Sequence, residues 1–192
     1  FCAKWIGVID SSNYLNKYLK SNIVSNYNIN LDRVYSTGMS NGGYMSYYLA
    51  CNMSDKIAAI ASVAGAMGSF MQLNCHPIHP TPILEIHETD DVIVPFNNII
   101  NGIKYWRDYN NCNLIADTTY IQNFNLEDLS TVEHIVYNNG NNNVSTELFK
   151  IINGEHTWPG AKRLKGVTKY DINASIEIWK FFSRYDINGL IN

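Results

Sequence analysis

Gly38-Met39-Ser40-Asn41-Gly42 is a G-x-S-x-G pentapeptide, and its residue types suit one kind of chemistry. A serine hydroxyl can act as a nucleophile when it projects from a sharp strand-to-helix turn whose flanking residues have almost no side chain. By that reasoning a bulkier residue at 38 or 42 would collide with the strand or the helix. Such a serine needs a base to take its proton and an acid to orient that base. Both follow in chain order, each just past an apolar run: Glu88-Thr89-Asp90-Asp91, then Asn153-Gly154-Glu155-His156. His156 is placed to take the Ser40 proton and return it to the leaving group. Spacing leaves Asp90 and Asp91 both open as the acid, and one of these, or Glu88, is then a solvated carboxylate. The other histidines fit less well: His76 and His79 lie between prolines, His87 inside a predicted strand, and His134 at the start of one.

The tetrahedral intermediate of acyl transfer carries an oxyanion that needs two aimed donors, and the backbone N–H of Asn41, directly after the serine, would be the first. The second should come from a loop after an earlier strand, for which residues 1–10 are too short. Trp158, Met39 and Tyr44 neighbour the reacting residues in sequence and are candidates to line a substrate pocket, with core packing the alternative for each.

These residues need a scaffold that ends strands where they sit. Arg33 to Thr37 is β-prone, and Gly42 to Cys51 reads as a helix with Tyr44, Met45, Tyr48 and Leu49 on one side. Ile57 to Ala64 is small and largely apolar, as a strand buried on both faces is, and Pro82 to His87 is a second such run. A helix is expected over Asn97 to Tyr109, with Ile100, Ile103 and Trp106 inward, then a loop through Leu129. Glu133 to Tyr137 and Thr146 to Ile152 flank an Asn/Gly-rich turn as two neighbouring strands. A closing helix over Asp171 to Tyr185 places Ile172, Ile176, Trp179 and Phe182 on one face, capped by Asp171. An early helix starts at Asp10 or Ser11 and ends near 26–30. Strands alternating with helices predict an α/β fold, a mostly parallel sheet with helices on both faces.

Composition narrows the partners. The 192 residues, 46% hydrophobic and 16% charged, fit a single domain over 1–192. A net charge of −3 gives no polybasic face for nucleic acid. No apolar run reaches the roughly 18 residues of a membrane span, and the stretch Ile57 to Leu73 is broken by Gly65 and Gly68. Neither C-x-x-C, H-E-x-x-H, a dinucleotide fingerprint nor a P-loop occurs, so no metal and no cofactor is expected. Residues 1–9 lack the order of a signal peptide, and the protein is expected to start upstream of Phe1.

Together the motifs resemble the extracellular polyhydroxybutyrate depolymerase-like esterases, relatives of the feruloyl and acetylxylan esterases. Arg33 to Gly43 is similar to that family's nucleophile strand and elbow, and Ala58 to Met67 to its next strand. Ile86-His87-Glu88-Thr89-Asp90-Asp91-Val92-Ile93-Val94-Pro95-Phe96 is similar to its acid loop, and Gly154 to Gly160 to its histidine loop. Ile178 to Phe182 is similar to its closing helix. The resemblance implies a three-layer α/β-hydrolase fold with the family's first strands missing, Asp91 as the triad acid, and secretion. Two departures stand out. Glu88 and Glu155 occupy positions where the family usually has glycine, which would put two extra carboxylates near the site. Gly140 stands where the family often has a cysteine partner for Cys112, which removes the support for that bridge; a Cys51 to Cys75 bridge is a separate hypothesis.

The expected activity is therefore a serine esterase working through an acyl-enzyme on small or oligomeric esters, with polyhydroxybutyrate depolymerase-like specificity first. Feruloyl or acetylxylan esterase action, a peptidase of the same fold, and a non-catalytic truncated hydrolase whose nucleophile strand becomes a sheet edge are the competing readings.

Overall fold

The apolar runs of the sequence form the centre of a sheet. In the computed structural model, which describes residues 24–124, 128–161 and 170–191, β1 (Tyr35–Met39), β2 (Ala59–Val63), β3 (Ile83–Glu88) and β6 (Thr146–Ile152) lie side by side and parallel. β5 (Thr131–Tyr137) pairs antiparallel with β6, and β4 (Asp117–Ile121) antiparallel with β5. The order is β1-β2-β3-β6-β5-β4. β2 and β3 are buried along their whole length. Among the described residues β1 is an edge strand, and it is half-buried apart from an exposed Thr37. The early helix expected from Asp10 or Ser11 lies almost wholly outside the described residues.

Successive residues of a strand point to opposite faces, so the two sides of the sheet can be separated by composition. Ile60 and Ile83 face α1 (Asn41–Asn52) and α3 (Asn97–Tyr109), packing with Tyr47, Ala50, Cys51 and Trp106. Ala59, Ala61, Leu84, Ile86 and Phe149 face α4 (Ala174–Phe182), packing with Ile178, Phe181 and Phe182. Helices thus cover both faces. A short α2 (Ser69–Leu73) lies in the crossover between β2 and β3, and β7 (Tyr185–Asp186) with β8 (Gly189–Leu190) closes the chain as a small hairpin.

Several details differ from the sequence expectation. α4 starts at Ala174, with Asn173 as its cap through a hydrogen bond to the Ile176 N–H. Asp171 is buried instead, accepting from the Phe124 N–H and the Ser130 hydroxyl. Of the face expected inward, Ile172 and Phe182 are buried and Ile176 and Trp179 face outward; Ile178 and Phe181 meet the sheet in their place. On α1 the core side is Tyr47, Ala50 and Cys51; Tyr44, Met45 and Tyr48 are half-buried at its flank. β4 falls where the sequence predicts a loop, because its residues Asp-Thr-Thr-Tyr-Ile are almost all exposed and show no apolar alternation.

Cys51 and Cys75 are disulfide-bonded, joining the end of α1 to the segment after α2. Cys112 is a buried free thiol. A Cβ built on Gly140 would stand 2.9 Å from Cys112 Sγ, so the position where the resembled esterases often carry a cysteine is the one adjacent to this thiol.

Candidate active site

Four strand ends meet at one edge of the sheet, and the loops leaving three of them carry the candidate residues. β1 ends at Met39, and Ser40 turns the chain into α1 with φ 54° and ψ −116°. A non-glycine residue in that conformation stores of order 1–3 kcal/mol of strain. The turn is held by the Ser40 N–H donating to the Val63 carbonyl (2.8 Å) and the Ser40 carbonyl accepting from the Tyr44 N–H (3.0 Å). The strand and helix approach so closely that a Cβ at Gly38 would lie 2.7 Å from Gly42 Cα. A Cβ at Gly42 would meet nothing within 4 Å, which corrects the expectation that position 42 demands glycine. Gly43 carries that requirement, since a Cβ there would overlap Ser62 Oγ and stand 3.0 Å from Gly65 Cα. Asn41 opens α1, so its N–H belongs to the turn that has no intrahelical acceptor.

The acid loop turns directly after β3. Asp91 is buried; its Oδ1 accepts from the Ile93 and Val94 N–H groups, both at 2.8 Å, and its Oδ2 lies 2.7 Å from His156 Nδ1. Asp90 is exposed and bonded to the Thr89 hydroxyl. Of the two carboxylates that spacing left open, Asp91 is the one facing the imidazole. An ionised carboxylate only accepts, so the proton between them sits on His156 Nδ1, and Nε2 is left with a lone pair.

His156 follows β6 through a turn at Asn153 (φ 61°), whose N–H donates to Thr89 Oγ1 at 3.0 Å. Glu155 is exposed, whereas Glu88 is buried and accepts from the Thr157 N–H (2.9 Å) and hydroxyl (2.6 Å). Burial pushes the Glu88 carboxyl above its ordinary range, the Thr157 bonds oppose that, and the Asp91 charge adds to the rise. The extra carboxylate at 88 thus fastens a loop rather than lining a substrate path.

Tyr44 borders an apolar cavity of about 290 Å³ together with Asn41, Met45, Tyr48 and Met71, and a more polar one of about 310 Å³ with Gln72, Asn97 and Asn101 among its walls. Met39 and Trp158 are half-buried against the apolar cluster on the α4 side, and the Trp158 indole N–H donates to Ser175 Oγ at 3.1 Å. The three residues proposed from sequence proximity therefore sit in different surroundings. Sequence reasoning also passed over Glu85, His87 and Tyr47, which form a buried polar chain beside Asp91. Their signal was an ionisable pair at i and i+2 inside an otherwise apolar run, hence on one face of a strand.

Comparison with known proteins bears on the family and the fold. The phospholipase/carboxylesterase family model matches residues 6–131. A bifunctional acetylxylan esterase/xylanase of Neocallimastix patriciarum is 33% identical over 94 residues, 48% of this chain and 13% of that protein. Feruloyl esterase B of Piromyces equi is 29% identical over 120 residues, 54% of this chain and 22% of that protein. The chain thus spans less than a quarter of the length of these curated relatives. An acetyl xylan esterase from Aspergillus awamori superimposes with a TM-score of 0.63 over 90% of this chain and 66% of its own, at 13% identity, which is a likeness of fold. The mostly parallel sheet, the helices on both of its faces and the family match over residues 6–131 lead to one assignment: the chain belongs to the phospholipase/carboxylesterase family of α/β-hydrolase fold.

Proposed function

We propose that the protein hydrolyses carboxylic esters through an acyl-enzyme, with Ser40 as nucleophile, His156 as general base and acid, and Asp91 orienting His156. The observation that carries this reading is the 2.7 Å contact of His156 Nδ1 with buried Asp91, in loops at the same sheet edge as the strained Ser40 turn. Nε2 takes the Ser40 proton as Oγ attacks the ester carbonyl. The Asn41 N–H stabilises the oxyanion, and collapse expels the alcohol, which leaves with the proton from Nε2. Water, deprotonated by the same nitrogen, then releases the acid and restores Ser40.

For the substrate, acetyl or feruloyl groups on plant polysaccharide come first, because the two relatives above are named for acetylxylan and feruloyl esterase activity. The apolar cavity at Asn41, Tyr44, Met45, Tyr48 and Met71 suits an apolar acyl group beside the nucleophile. Short polyhydroxybutyrate oligomers are the second reading, favoured by the three motif loops. The Cys51–Cys75 bridge supports an oxidising, extracellular destination. No helix among the described residues is long and apolar enough to cross a membrane.

Labelling with a fluorophosphonate, read by intact mass, tests the site: one adduct is expected, absent in Ser40→Ala. An adduct that persists in Ser40→Ala removes the assignment. Initial rates on acetylated xylan, methyl ferulate and hydroxybutyrate oligomers then rank the substrates, with a chromogenic dipeptide amide expected to remain uncleaved.

A further inference from the structure

Beside Asp91, within the sheet, lies a second ionisable pair. Glu85 and His87 both point from β3 toward α1 and α3, and both are fully buried. His87 Nδ1 is 3.1 Å from Glu85 Oε1, and the Tyr47 hydroxyl of α1 donates to Glu85 Oε2 at 2.9 Å. His87 Nε2 faces two oxygens, the Val94 carbonyl at 2.8 Å and Asp91 Oδ2 at 3.6 Å. Both are acceptors, so Nε2 carries a hydrogen. Nδ1 and Glu85 Oε1 then hold one proton between them, and the pair is neutral whichever atom bears it.

We propose that Glu85 and His87 are positioning residues, a buried proton-sharing pair that fixes Asp91 and sets how strongly it supports His156. The proposal rests on the triad reading above. The grip is geometric: Val94 accepts from His87 through its carbonyl and donates through its N–H to Asp91 Oδ1. The acid loop is thus tied to β3 at the residue that shapes the Asp91 turn. The influence is also electrostatic, because the imidazole edge lies beside the same Oδ2 that His156 uses. Burial alone would lower the His87 pKa, but Glu85, the Val94 carbonyl and Asp91 outweigh it and leave it raised. Burial likewise raises Glu85, against the bonds from His87 and Tyr47. Other groups around the pair are accounted for: Tyr44 of α1 is a neutral phenol, Glu88 is engaged by Thr157, and Lys150, beside His87 on β6, is bonded to Glu133 at 3.1 Å. The Phe96 ring closes the remaining side of the imidazole, edge-on at 6.0 Å.

Glu85→Gln keeps the shape of the pair and removes its counter-charge, so the buried imidazole gives up the shared proton. Asp91 then loses a partly positive neighbour, and His156 holds its own catalytic proton more tightly. With the full chain and a small activated ester, kcat is expected to fall about ten- to a hundredfold with KM nearly unchanged. The acid limb of kcat/KM is expected to move up by about half a pH unit. Tyr47→Phe removes one donor to Glu85 and should shift the limb the same way by less. The downfield NMR resonance of the His156 Nδ1 proton should move in both variants. That resonance is read without turnover, so a wild-type protein inert toward esters would reject the esterase reading and still test this one. A limb and a resonance that stay at their wild-type positions in both variants, or a limb displaced to lower pH, would overturn the proposal.

Discussion

The Glu88 carboxylate grips Thr157 twice, accepting from its N–H at 2.9 Å and its hydroxyl at 2.6 Å, and so fastens the loop of His156 to the end of the strand that carries Asp91. Neighbouring backbone bonds run the same way, from the Thr89 N–H to the Ile151 carbonyl and from the Asp90 N–H to the Gly154 carbonyl. The fit is close enough that a Cβ on Gly154 would lie 2.8 Å from Glu88 Cγ. Glu88→Ala leaves two buried donors without an acceptor and is expected to cost about 2–3 kcal/mol of stability. It should lower kcat more than it changes KM, because His156 loses its anchorage while the rest of the pocket is untouched. Denaturant titration and steady-state kinetics check both, and an unchanged midpoint would contradict the clasp.

Three glycines around Ser40 should respond differently to one added methyl group. Gly38→Ala pushes a Cβ into the backbone of α1 and Gly43→Ala into Ser62 and Gly65. Each should cost about 1–3 kcal/mol and most of the activity. Gly42→Ala meets open space inside a helix, so it should keep activity and gain up to about 1 kcal/mol from helix propensity. Thermal melts and esterase assays of the three variants separate them, and a Gly42→Ala protein as damaged as Gly38→Ala would show the elbow to be wrongly drawn.

What could be read from the sequence was what depends on local pattern. Thr146–Ile152 forms the strand its apolar run announced, and the acid and histidine follow strands β3 and β6 because loops at strand ends are where such residues can converge. What could not be read depends on neighbours distant in sequence. Asp90 and Asp91 are equivalent until the turn is folded, when the Ile93 and Val94 N–H groups capture Asp91 Oδ1 and aim Oδ2 at His156. Glu85 and His87 sit inside a run that reads as a buried strand, and no local pattern pairs them with Tyr47 and Val94, which come from another helix and another loop. β4 offered no burial to betray it. On α4 both apolar stripes, Ile176 with Trp179 and Ile178 with Phe181, are open at the level of periodicity, and packing against Leu84 and Ile86 of the sheet selects the second.

Reducing agent should weaken the fold without touching the site residues. The Cys51–Cys75 bridge closes a segment with a sequence separation of 24, worth about 3 kcal/mol on chain-entropy grounds. Reduction is therefore expected to lower the melting temperature by about 10 °C. Cys112 is buried, and burial pushes its thiol up, so a thiol reagent added to the native, unreduced protein should leave Cys112 unmodified until the chain unfolds. Rapid labelling at Cys112 under native conditions, located by peptide mass, would contradict that placement.

Acid stability should trace to Glu147 at the far end of the sheet. Burial pushes this carboxyl up, but the His134 bond (2.9 Å), the Arg184 charge and bond (2.6 Å) and the Ser145 hydroxyl (2.5 Å) outweigh it, and its pKa lies below the ordinary 4.5. A carboxyl depressed in the folded state contributes stability that is present above its unfolded pKa and is lost as pH falls through the folded value. Glu147→Gln should therefore be destabilised relative to wild type at pH 7, and the gap should close as the pH is lowered below about 4. Glu88 has the opposite sign, since its raised pKa makes its contribution largest below the ordinary value and smaller as pH rises. Urea titrations of Glu147→Gln and Glu88→Gln across this range should therefore diverge from wild type in opposite directions, and a pH-independent Glu147→Gln gap would show that its partners stabilise the carboxyl whether or not it is charged.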